Sequence, residues 1–335
     1  MEEQETLSSG WKRAVIVTIL GGFTVLIWLA ARTYSDAPPI PARAVSRAGE
    51  TMFTRDDVLA GQQVFLKYGL MENGSIWGHG AYLGPDFSAA YLHTLGVDVA
   101  ESLAQHRYDR PLTALSAAER DAVQAEVPPL LKHNRYDPQT QTLLLTEPEI
   151  TSYRHQITTW TTYFAQPTVS AGLPATYITD PQDLQHLTTF FAWTAWASSA
   201  NRPGHAYSYT NNFPYDPTIG NTSTPDAVLW SALSLIALLA GTAVVLFAFG
   251  KFDFLGWKGA RAHIHPHLLP GITTASQPAI IKYFVIVAVL FLAQVVVGGG
   301  TAHYRADPGS LYGMDVSSFF PRHILRTWHL QLAIF

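Results

Sequence analysis

The sequence has no cysteine among its 335 residues, and only 14% of its residues are charged. The absence of cysteine excludes disulfides, zinc sites built from thiolates and a covalently attached c-type haem. A soluble domain usually carries about 25% charged residues, so the low fraction indicates long apolar segments. The net charge of −4 argues against nucleic acid as a partner.

The hydrophobic residues, 48% of the chain, are concentrated in a few long blocks. Residues 14–31 form an uncharged run of the length that crosses a bilayer, about 17–25 residues. A cleaved signal peptide is the alternative, but its apolar core is only about 7–15 residues long. We therefore predict a retained transmembrane helix, and further spans at 227–250 and 282–300. A fourth span begins at 322 and is cut at 335, so the natural chain is expected to continue.

Basic residues predict how these spans are oriented. Lys12 and Arg13 precede the first span, and Lys251, Lys258 and Arg261 follow the second. Because cytoplasmic segments carry the excess of Lys and Arg, the N-terminus and the segment after the second span are expected inside. The remaining predicted segments are a cytoplasmic N-terminus (1–13), a periplasmic domain (32–226), a cytoplasmic connector (251–281) and a periplasmic loop (301–321).

Capping signals predict that residues 32–226 fold as a mostly helical domain. Thr54, Asp57 and Gly69 predict a helix with a capping box at its start and a glycine at its end. Four aromatic residues, Phe190, Phe191, Trp193 and Trp196, are most simply core residues. The other signals are Ser116 with Glu119 for a helix through Val127, a turn and strand over 136–145, Thr146 with Glu149 for the next helix, and Asp180-Pro181 for a helix near Leu184 to Ala200.

One histidine, His329, lies in the apolar helical run RHILRTWHLQLAIF (322–335). Polar groups inside a bilayer are costly and usually functional, and a neutral imidazole is a good ligand for haem iron. A hydrogen bond to a neighbouring helix is the alternative. Arg326 favours ligation, since it lies one helical turn nearer the outer surface on the same face, where it could pair with a haem propionate. The rise of about 1.5 Å per residue places His329 in the outer half of the bilayer.

A second candidate site lies at the outer edge of the third span. His303 and Asp307 are four residues apart in the sequence TAHYRADPG. An imidazole and a carboxylate at the membrane edge could bind the hydroxyl groups of a quinol and take its protons. An exposed loop at a helix end is the alternative on spacing alone.

A third candidate is the glycine-rich segment GSIWGHGAYLGPDF (74–87). A glycine carbonyl and a tyrosine of this segment could contribute to a cation site made of oxygen ligands, but a glycine-rich loop alone is weak evidence. The histidine-rich HIHPH (263–267) is more typical of a solvated cytoplasmic connector than of a metal site.

Four motifs occur in this order in the sequence: AGQQVFLKYGLMENGSIWGHGAYLGPDF, FFAWTAWASSANRPGHAYSYTNNFP, VVVGGGTAHYRADPGSLYG and RTWHLQLAIF. Taken together, they closely resemble the quinol-dependent nitric oxide reductases of the haem–copper oxidase superfamily. The resemblance covers essentially the whole chain. It implies an all-α membrane bundle of haem–copper oxidase type, incomplete in this chain, with an extracytoplasmic, mostly α cytochrome-c-like domain lacking haem. In cytochrome-c-dependent relatives a haem-attachment motif precedes the G-x-G-A-Y segment, and YGLMENGSIW takes its place in this sequence.

The resemblance also implies ligands and cofactors. The second ligand of the low-spin haem b, the ligand of haem b3, the ligands of a non-haem iron and a calcium-binding glutamate all belong to later helices in that family. They are absent from this chain, which is therefore expected to be inactive alone. The residues implied within the chain are His329 and Arg326 for the low-spin haem b, His303 and Asp307 for the quinol, and Gly80 and Tyr82 for calcium.

The sequence thus predicts part of a quinol-dependent nitric oxide reductase in the bacterial inner membrane. Its expected partners are membrane quinol, nitric oxide, the lipid bilayer and the rest of the same polypeptide, and a homodimer is left open. One rival is a haem–copper quinol oxidase that reduces oxygen, which a haem-free cytochrome-like domain argues against. Another is a non-catalytic membrane receptor, which would make His329, Arg326 and the pair His303 and Asp307 incidental.

Overall fold

The computed structural model of the chain is mostly helical. It divides into two compact units, Met1–Ile40 and Pro41–Phe335. The first unit contains helix α1, Ser9–Ser35, and the second contains all the other elements. The structure describes residues 9–81, 83–166, 173–252, 276–306 and 319–334.

Residues 41–224 form the part of the second unit that we name the central domain. Its helices surround an apolar core, and short strands lie at one side of them. The helices are α2 (Arg55–Lys67), α3 (Phe87–Tyr108), α4 (Ala117–Lys132), α5 (Glu147–Ala165) and α6 (Pro181–Ser199). The strands are β1 (Arg43–Val45), β2 (Thr51–Thr54), β3 (Ser75–Ile76), β4 (His79–Gly80), β5 (Tyr136–Asp137) and β6 (Thr142–Leu144).

The strands form a four-stranded sheet in the order β2-β1-β6-β5 and a separate pair, β3 with β4. β1 is parallel to β6 and antiparallel to β2, so Ala44 lies opposite both Phe53 and Leu143. All three side chains are buried. The sheet therefore turns one apolar face toward the helices. The turn and the strand predicted over 136–145 are confirmed, and the structure adds a second strand, since β5 and β6 form an antiparallel pair.

The helix starts in the central domain are fixed by the capping signals in the sequence. The backbone N–H of Asp57 donates to Thr54 Oγ1 at 3.3 Å, and the carboxylate of Asp57 accepts from the N–H of Thr54 at 2.7 Å. Gly69, after the C-cap of α2, has a left-handed φ of 58°, which glycine adopts at little cost. These predictions are confirmed, as are the predicted helix starts at Ser116, Thr146 and Asp180.

The predicted end of α4 at Val127 is wrong. The helix continues to Lys132 through Pro128 and Pro129, although proline removes a helical hydrogen bond and crowds the preceding turn. Tertiary contacts hold the last turn: Leu131 is buried, and Lys132 Nζ donates to side-chain oxygens of the 201–224 segment. Burial of this turn outweighs the local cost of the prolines.

The core of the central domain is built largely from aromatic rings. Phe87 stacks on Phe191 with ring centroids 4.9 Å apart, and Trp160 meets Phe191 edge-on at the same centroid distance. The ring of Phe65 meets that of Phe87 edge-on, with ring centroids 5.9 Å apart. The prediction that Phe190, Phe191, Trp193 and Trp196 are core residues is confirmed, because all are buried.

After the central domain the chain forms the long apolar helices α7 (Pro225–Phe252) and α8 (Ser276–Ala306), followed by α9 (Arg322–Ile334). Thr224 accepts the backbone N–H of Ala227 at 3.2 Å and caps α7. The predicted HIHPH connector, 263–267, lies outside the described residues.

Among the residues that the structure describes, three helices are long and apolar enough to cross a membrane, over Arg13–Ser35, Pro225–Ala248 and Ala279–Ala302. They overlap the spans that the sequence predicts. Their large apolar side chains are exposed, as Leu239 and Phe291 illustrate. An apolar exterior over the length of a bilayer is the surface of a membrane protein.

Candidate functional site

Helices α8 and α9 pack against each other, and His329 lies on the packed face of α9. Leu325 is buried and His329 and Leu332 are half-buried, whereas Thr327 and Trp328 are exposed. The spacing of four and seven residues places the three inward side chains on one helical face. The histidine that the sequence selects is therefore directed toward a neighbouring helix.

One hydrogen bond determines the protonation pattern of the His329 ring. Its Nδ1 lies 3.1 Å from the backbone carbonyl oxygen of Gln294 on α8. A carbonyl oxygen can only accept, so Nδ1 carries the proton, and the lone pair of the neutral ring is on Nε2. Within the described part of the chain, Nε2 has no hydrogen-bond partner. This is the tautomer in which histidine commonly binds a metal through Nε2 while a carbonyl holds its other nitrogen.

The imidazole of His329 lies directly against the backbone of Gly298. A Cβ atom added to Gly298 would lie 2.6 Å from Cε1 and 2.7 Å from Nδ1 of the ring. Gly300 faces α9 less closely, since its added Cβ would lie 3.2 Å from Leu325 Cδ1. Gly299 has open space around it. Two of the three consecutive glycines therefore serve close helix packing, which in membranes favours small residues.

Arg326 precedes His329 by one helical turn and is half-buried. Among the residues that the structure describes, no carboxylate lies within ion-pair distance of its guanidinium. A partly buried guanidinium is well suited to pair with carboxylates through its planar fork of N–H groups. The arrangement leaves Arg326 able to meet an anionic group of a ligand bound at His329.

The two residues predicted to bind quinol are only partly covered by the structure. The backbone of His303 belongs to the last turn of α8, about 7–8 Å along the helix from Gly298 at 1.5 Å per residue. The side chain of His303 and the whole of Asp307 lie outside the described residues. Their role stays a prediction.

Gly80 lies in β4, while Tyr82, its predicted partner in a calcium site, lies outside the described residues. Gly80 has a φ of 150°, and an added Cβ would overlap the carbonyl oxygen of Gly74 and lie 2.8 Å from Ser75 Cα. Close packing of two backbone segments thus requires glycine at this position. Across the described ranges, no group of three or more histidine, aspartate or glutamate side chains is placed to hold a metal ion.

The segment around Gly80 is held in place by Asp86, which the sequence reasoning missed. Its carboxylate accepts hydrogen bonds from the N–H of Gly78 at 2.7 Å, the hydroxyl of Ser75 at 2.9 Å and the N–H of Ala89 at 2.8 Å. It also accepts from the hydroxyl of Ser88. Asp86 is the N-cap of α3, a position at which aspartate is a capping signal, and it additionally fixes the preceding loop.

Surface grooves of about 500 and 450 Å³, both lined in part by His106, lie on the central domain, and small cavities lie at its aromatic core. Beside it, a cavity between the sheet and α6, lined by residues that include Phe53, Tyr91 and Trp196, has a volume of about 30 Å³. A second cavity, lined by residues that include Leu83 and Tyr177, has about 10 Å³. Volumes of this size hold a water molecule or two, and neither has room for a porphyrin.

Gly298 and the carbonyl of Gln294 are further site groups that the sequence reasoning missed. A signal was present, because three consecutive glycines in an apolar span indicate close approach of another helix. The sequence alone does not specify which side chain approaches them. Only the packing of α8 on α9 brings His329 to Gly298.

Comparison with known proteins places the chain in a family. Residues 41–215 match the model of the cytochrome c-like domain of the nitric oxide reductase NorB. A search of curated proteins finds no match. The match coincides with the central domain, in which the aromatic core and the loop held by Asp86 lie. Because it spans more than half of the chain, the protein belongs to the NorB family of nitric oxide reductases and carries that family's cytochrome c-like domain.

Proposed function

We propose that the protein is a quinol-dependent nitric oxide reductase in which this chain holds a low-spin haem b beside the quinol site. The net reaction is two NO plus one quinol giving N2O, water and quinone, with two electrons and two protons passing from quinol. The main support for the proposal is the arrangement of His329. Its Nδ1 is hydrogen-bonded to the Gln294 carbonyl, and its Nε2 has no described partner. It occurs in a chain of the NorB family.

The residues present fit a haem on two counts. His329 has the tautomer that offers Nε2 to iron, and Arg326 offers a half-buried cation one turn away for a propionate. When bound, the haem supplies one-electron transfer. The chain's own contribution is to hold the ring of His329 against α8 and to provide a charge that neutralises the propionate.

We further propose that the central domain works without haem. The chain has no cysteine for covalent attachment, and its own aromatic rings fill the interior, as the stacked pair Phe87 and Phe191 shows. A domain without haem has no redox group with which to receive electrons from a soluble cytochrome. This supports entry of electrons from a donor dissolved in the membrane.

In this proposal His303 and Asp307 bind the quinol at the outer end of α8. The imidazole and the carboxylate accept the two hydroxyl protons as the electrons leave. The Lys and Arg residues that follow α7, such as Lys251, support a cytoplasmic location for that segment. In this proposal α8 therefore ends on the outer side, and the central domain is periplasmic in a bacterial inner membrane. Haem b3, a non-haem iron and a calcium ion approached by Gly80 and Tyr82 would complete the cofactors, with other ligands supplied outside the described residues.

The absorbance spectrum of the intact purified protein tests the haem proposal. We expect the bands of reduced low-spin b-type haem in the wild type and in Gln331→Ala, an exposed position on the same helix. We expect those bands to be lost in His329→Ala. A spectrum without haem in the wild type would leave the membrane receptor as the better description.

Anaerobic consumption of NO with a reduced quinol analogue tests the reaction. We expect NO to be consumed and N2O to form in a ratio of two to one, and oxygen reduction without NO reduction would favour the quinol oxidase. His303→Ala and Asp307→Ala should slow turnover with quinol and spare turnover with an artificial electron donor. Equal losses with both donors would argue against a quinol site at these residues.

A further inference from the structure

We propose that Gly298 and the backbone carbonyl of Gln294 are the positioning elements that fix the orientation and tautomer of His329 as a haem ligand. This inference rests on the proposed function, and it assigns a role to one turn of α8 outside the ligand set. Its support is the contact between Gly298 and the ring together with the hydrogen bond to Gln294.

The space above Gly298 is occupied by the imidazole ring of His329. The ring atoms Cε1 and Nδ1 of His329 occupy the place where a side chain would begin, 2.6 and 2.7 Å from an added Cβ, and Nε2 is 3.4 Å from it. Real Cβ atoms essentially never make contacts below 3.0 Å. Any residue other than glycine therefore has to push the imidazole off α8.

Gly298 also leaves the Gln294 carbonyl accessible to the ring of His329. Residues 294 and 298 are one helical turn apart, so they lie on the same face of α8. The Cα–Cβ bond of a helical residue tilts toward the N-terminus, and a side chain at 298 would therefore lean over the turn that contains the Gln294 carbonyl. A single glycine provides both a flat contact surface and access to the carbonyl oxygen.

The hydrogen bond to Gln294 also affects His329 as a ligand. A hydrogen bond from Nδ1 fixes which nitrogen faces the metal and raises the basicity of the ring. Removing such a partner of a metal-bound histidine typically weakens metal binding about 10–100-fold. Displacing the ring from Gly298 should therefore change the haem signal and should do more than loosen the helix pair.

Alanine substitutions along the three glycines test the contact in the intact protein. Gly298→Ala is expected to weaken haem retention by about 10-fold or more and to shift the low-spin signals in absorbance and electron paramagnetic resonance. Gly299→Ala is the matched control, since nothing lies within 4 Å of its added Cβ, and it should retain the wild-type spectrum. Gly300→Ala meets only the end of the Leu325 side chain and should also retain it.

An unchanged spectrum and haem content in Gly298→Ala would overturn the inference. A loss that is equal in Gly298→Ala and Gly300→Ala would also overturn it, because general loosening of α8 and α9 would then explain both. His329→Ala keeps the two levels apart. If His329→Ala retains low-spin haem, the proposed ligand is wrong, whereas loss in His329→Ala with retention in Gly298→Ala refutes only the role of Gly298.

A rescue experiment tests the hydrogen bond even if Gly298→Ala does not fold. His329→Gly removes the side chain and leaves a space for an added ligand. 4-Methylimidazole reproduces the histidine ring with its N–H, and 1,5-dimethylimidazole replaces that N–H with N–CH₃. We expect 4-methylimidazole to restore the low-spin spectrum at about 10-fold lower concentration, after correction for the affinity of each compound for free haem. Equal restoration by both compounds would overturn the role of the Gln294 carbonyl.

Discussion

The ring of Phe87 lies on the ring of Phe191 with an interplanar angle of 7° and a centroid distance of 4.9 Å. Phe87 begins α3, and Phe191 lies in the middle of α6, so the contact joins two helices far apart in the sequence. Both side chains have no measurable exposure. This stacked pair is the centre of the aromatic core in the cytochrome c-like domain.

Replacing Phe191 should therefore destabilise the domain strongly. Phe191→Ala removes a ring that several others contact, and the expected loss is about 3–5 kcal/mol in the free energy of unfolding. Phe191→Leu keeps more volume and should cost less. The urea transition of the intact protein in detergent, followed by near-UV circular dichroism, measures both. Val97→Ala, at a residue of α3 that is 49% exposed, should change stability by less than about 0.5 kcal/mol.

The sequence predicts four helix starts in the central domain but misses that of α3 at Asp86, and it predicts one helix end poorly for a physical reason. A capping box such as Thr54 with Asp57 is a local interaction, so its residues are visible in the sequence. The end of α4 depends instead on partners about 80–90 residues away, Asn212 and Asn221, which bind Lys132. Local rules stop the helix at Pro128, and only the tertiary fold explains why it continues.

The packing at Gly80 gives a second prediction. An added Cβ would overlap the carbonyl oxygen of Gly74, so Gly80→Ala has to move one of two backbone segments. Gly204 is the matched control, because it also has a positive φ, 77°, but has open space around it. We expect Gly204→Ala to cost about 1 kcal/mol of backbone strain and Gly80→Ala clearly more, up to about 3 kcal/mol. Equal urea midpoints for the two variants would show that the overlap relaxes without cost.

The candidate site, like the fold, can be predicted from the sequence only in part. His329 can be found from the sequence, since an imidazole in an apolar span is unusual. The three consecutive glycines indicate close packing of another helix but not which side chain approaches Gly298. The Gln294 carbonyl cannot be found from the sequence, because the hydrogen bond joins residues on two helices and uses a backbone group. A carbonyl group is present at every residue, so no residue type marks it.

A buried ion pair in the central domain gives a third prediction. One nitrogen of Arg135, Nη2, lies 2.6 and 2.7 Å from the two carboxylate oxygens of Glu149, and the side chains are 12% and 9% exposed. Arg135 also donates to the carbonyl oxygens of Leu130 and Leu144. Arg135→Met leaves the carboxylate buried without its cation, which typically costs about 3–5 kcal/mol.

The control for this prediction is a surface pair. Arg107 and Glu126 also form an ion pair, but their side chains are 50% and 48% exposed, and Arg107→Met should cost about 0–1 kcal/mol. Arg135→Met combined with Glu149→Gln should recover part of the loss, since no charge is then left unpaired. Similar urea midpoints for Arg135→Met and Arg107→Met would contradict the prediction.

Lys132 gives a prediction about pH. Its Nζ donates to Asn212 Oδ1 at 2.7 Å and to Asn221 Oδ1 at 2.5 Å. Both partners are neutral amides, so neither offsets the charge of the ammonium group with a full negative charge. Burial lowers the pKa of Lys132 from 10.5 to about 8. The folded state therefore releases this proton at a lower pH than the unfolded state does.

The sign of the effect follows from proton binding. Below about pH 8 Lys132 is protonated in both the folded and the unfolded state, so it does not make the free energy of unfolding depend on pH. Between about pH 8 and 10.5 the unfolded state binds more protons, so the free energy of unfolding rises with pH. Because the side chain is only partly buried, we expect a gain of about 1–2 kcal/mol across that range. Lys132→Met removes the titrating group. The free energy of unfolding of the wild type minus that of Lys132→Met should therefore increase from pH 8 to pH 10. A flat or decreasing difference in the urea midpoints would show that the amide partners stabilise the ammonium form as well as water does.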